Sequence, residues 1–110
     1  MDALVMYSQS NFKSALNKFQ SIQNPSERNT LYQAICYLEL NDISKAETIL
    51  SDLQSNPNKY LAQESQWYLS LVHLKNKNNS FASEILSIIK SDPSHLYYDN
   101  ATKLYNDIIN

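Results

Sequence analysis

The chain has 110 residues, 43% of them hydrophobic and 18% charged, and carries a net charge of −2. These values fit one folded domain with a modest core, and they exclude the dense Lys/Arg surface of a nucleic-acid module. A single cysteine excludes an intrachain disulfide and a Cys-rich metal site, and the absence of glycine excludes Gly-rich phosphate loops, dinucleotide fingerprints and nucleophile elbows.

No stretch of about 18 apolar residues encodes a membrane span. Asp2 and the polar residues from Ser8 onward do not read as a signal peptide. A short first helix is expected over residues 3–8, then a turn at Ser10 and Asn11. The second helix, residues 12–23, carries the apolar stripe Phe12, Ala15, Leu16, Phe19 and Ile22 before Pro25 breaks it. Ser26 caps a third helix to about residue 40, whose buried side is Leu31, Ala34, Ile35, Tyr37 and Leu38. Asn41 and Asp42 make the next turn. The fourth helix, residues 43–54, shows Ile43, Ala46, Ile49, Leu50 and Leu53, and Asn56-Pro57-Asn58 ends it. The fifth, residues 61–76, is apolar almost all round between Trp67 and Leu74, the pattern of a central helix covered on more than one side. The sixth, residues 80–90, carries Phe81, Ala82, Ile85, Leu86, Ile88 and Ile89. The seventh, residues 98–109, offers Ala101, Leu104, Tyr105 and Ile108. Without glycine, the asparagines Asn11, Asn24, Asn41, Asn56 and the Asn76, Asn78, Asn79 cluster are expected to end helices. The fold class is therefore all-α, with short connections that make sequential helices antiparallel neighbours.

A pattern recurs around Ala15, Ala46 and Ala82, spaced by 31 and 36 residues. Four residues after each stands Phe19, Leu50 or Leu86, and seven after stands Ile22, Leu53 or Ile89. Eight before comes Tyr7, Leu38 or Leu74, and nine before comes Met6, Tyr37 or His73. Paired helices with this period make a solenoid.

These residues resemble the tetratricopeptide repeat, a helix–turn–helix unit of about 34 residues. Its small residue corresponds to Ala34 and Ser70, and the aromatic after it to Tyr37, with His73 a departure. Its turn acid corresponds to Asp42 and Asn78, the residue opening its second helix to Phe12 and Ile43, and its alanine to Ala15, Ala46 and Ala82. Its late aromatic corresponds to Phe19, replaced by Leu50 and Leu86, and its closing proline to Pro25, Pro57 and Pro93. The resemblance implies an α-solenoid of about three antiparallel helix pairs plus a terminal helix. Its approximate units are residues 1–25, 26–58 and 59–93, and its last helix is residues 97–110. The runs from Tyr37 to Ala46 and from Trp67 to Leu71 also look like repeat regions of Bacteroidetes proteins that follow a membrane anchor. Met1 falls within the first expected helix. The chain thus reads either as the C-terminal part of a longer protein or as a native start with half a repeat.

Candidate chemistry is sparse. Cys36 has neither a neighbouring base nor a helix N-terminus to activate it and is expected to be buried and structural. His73 is expected to pack and His95 to be solvated. The two make no metal constellation with the scattered acids, and no paired carboxylates suggest catalysis. Neither a cofactor nor an enzymatic activity is expected. The eight Tyr and one Trp are the more informative residues. Tyr37 and Trp67 favour the core, whereas the resemblance places Tyr32 and Tyr68 nearer a concave groove. With Trp67 beside them, Leu31, Ile35, Glu39, Leu71 and Lys75 complete the candidate partner-binding residues. So few charges suit an apolar or aromatic peptide or a partner helix rather than a terminal carboxylate. The expected function is a non-catalytic protein–protein interaction scaffold, soluble, with no nucleic acid and no membrane insertion. The alternative is an architectural spacer or homodimerisation domain of a membrane-anchored regulator.

Overall fold

The short polar side chains of Ser26, Asn58 and Asn78 cap helix starts, and the left-handed residues Asn41 and Lys77 follow helix ends. The computed structural model describes residues 11–109, so the expected helix over residues 3–8, with Met6 and Tyr7, lies outside the described residues. The helices are α1 (Phe12–Gln20), α2 (Glu27–Glu39), α3 (Ile43–Leu53), α4 (Lys59–Lys75), α5 (Asn79–Lys90) and α6 (Tyr98–Ile109), with no strand among the described residues. Ser26 Oγ accepts the Asn29 N–H at 3.1 Å to open α2, and Asn78 Oδ1 accepts that of Phe81 at 3.4 Å to open α5. Asn58 Oδ1 accepts from both Tyr60 and Leu61, at 3.1 and 3.2 Å, to open α4. Each cap satisfies donors that the first turn leaves without an intrahelical partner, a contribution of about 1 kcal/mol.

Two compact units make up the chain, one up to Ile49 and the other from Leu50 onward. In the first, α1 packs on α2. Ala15, Leu16, Phe19 and Cys36 form its core, with Phe12, Tyr32 and Tyr37 against it. The rings of Phe19 and Tyr32 stack at 5.6 Å, and the Gln20 amide donates to the Tyr37 hydroxyl at 2.7 Å. In the second unit α5 packs on both α4 and α6. Leu86, Ile89 and Ala101 are its core, surrounded by Trp67, Ile85, Tyr97, Leu104, Tyr105 and Ile108. Helix α4 also buries two serines whose hydroxyls return to the main chain, Ser65 to the Leu61 carbonyl at 2.8 Å and Ser70 to that of Trp67 at 2.6 Å. Small residues can thus be buried there without leaving an unsatisfied hydroxyl.

The alanine pattern has a structural counterpart. Ala15, Ala46 and Ala82 are all fully buried, as are Leu50 and Leu86, and Phe19 nearly so. The turns ahead of Ala46 and Ala82 are closed by the same main-chain bonds. Asp42 N–H donates to the Tyr37 carbonyl and Asn78 N–H to that of His73, both at 2.8 Å. Inside each, Asn41 donates to Leu38 at 3.1 Å and Lys77 to Leu74 at 3.0 Å. This nested pair is the Schellman motif, which needs a left-handed residue between the helices. Asn41 (φ 66°) and Lys77 (φ 60°) supply it. The side chains repeat as well. Lys45 Nζ lies 5.4 Å from the Tyr37 ring centre, and 36 residues on, the Phe81 ring lies 5.5 Å from that of His73.

Several expectations need correction. Helix α1 stops at Gln20, because Ser21 turns its hydroxyl back to the Lys18 carbonyl at 2.7 Å and closes the last turn. Ile22 is therefore beyond the helix and exposed, so the third pattern position fails in the first copy. Phe81 and Ile88, placed on the apolar stripe of the sixth helix, are also exposed. Asn24 and Asn41 do take positive φ, but at the third such position the residue is Lys77 rather than one of its asparagine neighbours. Asn11 precedes α1, and Asn78 serves both neighbours, closing α4 through its N–H and opening α5 through its side chain. A β-carbon at φ > 0 crowds the backbone, which Asn tolerates better than Lys. Lys77→Gly is expected to raise stability by about 0.5–1 kcal/mol, and Asn41→Gly by less, read as a rise in Tm.

Candidate interaction surface

The eight residues expected to receive a partner lie on two helices. On α2, Leu31 and Ile35 are buried, so their surface is used in packing rather than offered to a ligand. Tyr32 is half-buried and committed to its stack on Phe19, while Glu39 is exposed in the last turn. On α4, Trp67, Tyr68 and Leu71 are half-buried and Lys75 is exposed. Lys75 sits at the C-terminal end of α4, where the helix dipole favours a positive charge.

A residue outside that set organises the α4 aromatics. Tyr97 stacks on Trp67 with ring centres 5.1 Å apart and planes 5° from parallel, and meets Tyr68 edge-on at 6.4 Å. Offset stacks and edge contacts are the two favourable aromatic geometries, so Tyr97 fixes both rings at once. Tyr97 is held in turn by the segment between α5 and α6. Asp92 Oδ1 accepts from the Ser94 hydroxyl at 2.7 Å and the Ser94 N–H at 3.0 Å, which folds the segment over. Gln63 Oε1, from α4, accepts the Leu96 N–H at 3.1 Å. His95 lies 3.0 Å from Gln66 Oε1 through Nε2, and its Nδ1 accepts the Tyr97 N–H at 3.0 Å.

His95 is thus buried and bonded, not solvated as its loop position suggested. The partner that buries it lies 29 residues earlier, and no local pattern announces that contact. A hint was present nonetheless in His95-Leu96-Tyr97-Tyr98, a run too apolar for an ordinary solvated loop. Burial holds the imidazole below its ordinary pKa of 6.5, against the opposing charge of Asp92. Asp92 is held below the usual carboxylate value first by the Ser94 hydroxyl, then by the Ser94 N–H, with Lys59 and His95 adding to the same effect.

The remaining reactive groups are placed as packing residues. Cys36 is buried, and burial together with the Glu39 charge pushes its thiol up to about 11. A thiol so placed stays protonated, and the thiolate is the nucleophile. His73 lies against Phe81. Among the described residues no group of three or more His, Cys, Asp or Glu side chains comes together as a metal site. No described helix is long and apolar enough to cross a membrane.

Open grooves lie away from the expected residues. One, about 510 Å³, is lined by Ser83, Glu84, Ser87 and Ile88 of α5 and Tyr105 of α6, with Lys90 Nζ 4.4 Å from the Tyr105 ring centre. Another, about 390 Å³, is lined by Ser14, Asn17, Lys18 and Ser21, and a further one, about 270 Å³, by Tyr37, Ser44, Lys45, Thr48 and Ile49. No protein family matches the chain, and no curated protein or solved structure does either.

Proposed function

We propose that this chain is a non-catalytic protein-interaction module built as a tetratricopeptide-like solenoid. The observation that carries the reading is the repeated turn, in which the same nested hydrogen bonds recur 36 residues apart, each ahead of a fully buried alanine. Arrays of such units hold helix faces in fixed positions, so a partner meets a preformed surface and part of the ordering cost of binding is avoided. The face offered is that of α4, where Trp67 and Tyr68 present half-buried rings locked by Tyr97, with Leu71 and Lys75 further along the helix. On α2, Tyr32 and Glu39 are the positions that retain surface. Large rings with little charge around them suit an apolar or aromatic peptide or a partner helix.

Tyr68→Ala tests this. The variant is expected to keep its helical circular dichroism and its cooperative melt while losing a protein that the immobilised wild-type chain retains from its native lysate. Retention of the same proteins by both would remove α4 from the binding face. Melting of the variant would make Tyr68 a structural residue.

A second reading, an architectural or self-associating role, draws on the exposed Ile88 and Ile109 of the last two helices. Apolar side chains left outside can mark contacts between copies. Sedimentation equilibrium separates the two readings: a stable dimer weakened by Ile88→Ser would favour self-association.

A further inference from the structure

The segment joining α5 to α6 is fastened to α4 by Gln63 and Gln66, and its own fold includes one bond that only a neutral imidazole can accept. Because His95 Nδ1 accepts the Tyr97 N–H, the ring proton belongs on Nε2, where Gln66 Oε1 accepts it. Gln63 holds Leu96 beside it, and Tyr97 then lies on Trp67 and against Tyr68. A second ring proton would set an N–H against the Tyr97 N–H, donor facing donor, and would charge a side chain only 7% exposed. We propose that residues 92–97 form an acid-released clasp, in which protonation of His95 detaches the segment from α4 and uncovers Trp67 and Tyr68. The inference concerns the clasp alone and stands whether or not α4 receives a partner.

The charges around the ring define when this occurs. Asp92, within the segment, favours the imidazolium, and Lys59 at the start of α4 acts on Asp92. The groups that α4 turns to the segment are the uncharged amides Gln63 and Gln66. Glu64 of α4 and Asp99 in the first turn of α6 are the charged residues adjoining them in the chain. Burial outweighs Asp92, so the folded-state pKa of His95 lies below 6.5. The native clasp therefore favours the neutral ring. Its contribution is fully present above the unfolded pKa and is lost as the pH falls through the lower, folded value. The Ser94 hydroxyl and N–H lower the Asp92 pKa from 3.8, so the turn that they make favours the ionised carboxylate.

Trp67 is the only tryptophan, so its emission reports the clasp directly. Acidification from pH 8 is expected to give a red-shifted Trp67 emission with a midpoint below 6.5, while the helical circular dichroism is unchanged. His95→Asn keeps an acceptor for the Tyr97 N–H but cannot titrate, and should abolish the step. An emission that does not change, a step that persists in His95→Asn, or one that coincides with loss of helix overturns the proposal. Should that variant fail to fold, long-range ¹H–¹⁵N spectra of the wild-type imidazole decide instead. A proton on Nε2 with Nδ1 bare at neutral pH supports the clasp, and a protonated Nδ1 overturns it.

Discussion

Leu86→Ala is expected to lower stability by about 2–5 kcal/mol, seen as a fall in the denaturant midpoint with the slope unchanged. Leu86 is fully buried and belongs to the same core as Ile89 and Ala101. Helix α5 is packed by α4 and by α6, so the neighbours of a truncated Leu86 cannot close in from a free side, and a cavity remains. A folded domain has only about 5–15 kcal/mol to lose, so this one change threatens the native state. Ile88, two residues along on the same helix, is more than half exposed. Ile88→Ala should therefore shift stability by no more than about 0.5 kcal/mol. Equal effects at the two positions would mean that α5 presents a different face to the core.

Phe19→Ala should be as damaging to the other unit, about 3–5 kcal/mol. The ring is almost wholly buried, and its stack on Tyr32 adds a favourable contact beyond its area. The effect has a local readout, because Cys36 lies in the same core cluster. In the wild-type protein the thiol should react with a disulfide reagent only on unfolding. In Phe19→Ala it should react at neutral pH under native conditions, and Phe19→Leu should restore much of the protection. A thiol equally protected in Phe19→Ala would show that other side chains shield it.

Helix positions were largely legible in the sequence because they depend on local signals. Ser26, Pro25 and the pair Asn41-Asp42 punctuate helical stripes, and the structure places helix ends within three residues of the expected ones. The buried alanines were legible too, since a side chain that must be small recurs at a constant distance from a larger apolar one. What escaped was whatever depends on contacts distant in the chain. Leu31 and Ile35 share their stripe with Tyr32 and Glu39, and nothing in the spacing tells which of them other parts of the chain will bury. The run from His95 to Tyr98 hints at burial, but nothing local tells that Gln66 of α4 meets the His95 ring and Gln63 the Leu96 N–H. The candidate surface was thus readable to the level of which helices carry aromatics, and not to the level of which rings are held and by what.

The reliance on asparagine in place of glycine also bears on how the protein ages. Asparagine loses its amide when the next backbone nitrogen closes on its side-chain carbon, and the ring forms fastest where the following residue has no β-carbon to obstruct it. A chain without glycine contains no such step. Asn41, the left-handed residue of the α2–α3 turn, is followed by Asp42, whose N–H is engaged with the Tyr37 carbonyl. Asn58 and Asn78 have their side-chain oxygens engaged by the first turns of α4 and α5. The same composition that puts the β-carbons of Asn24, Asn41 and Lys77 in left-handed turns keeps the helix caps chemically durable.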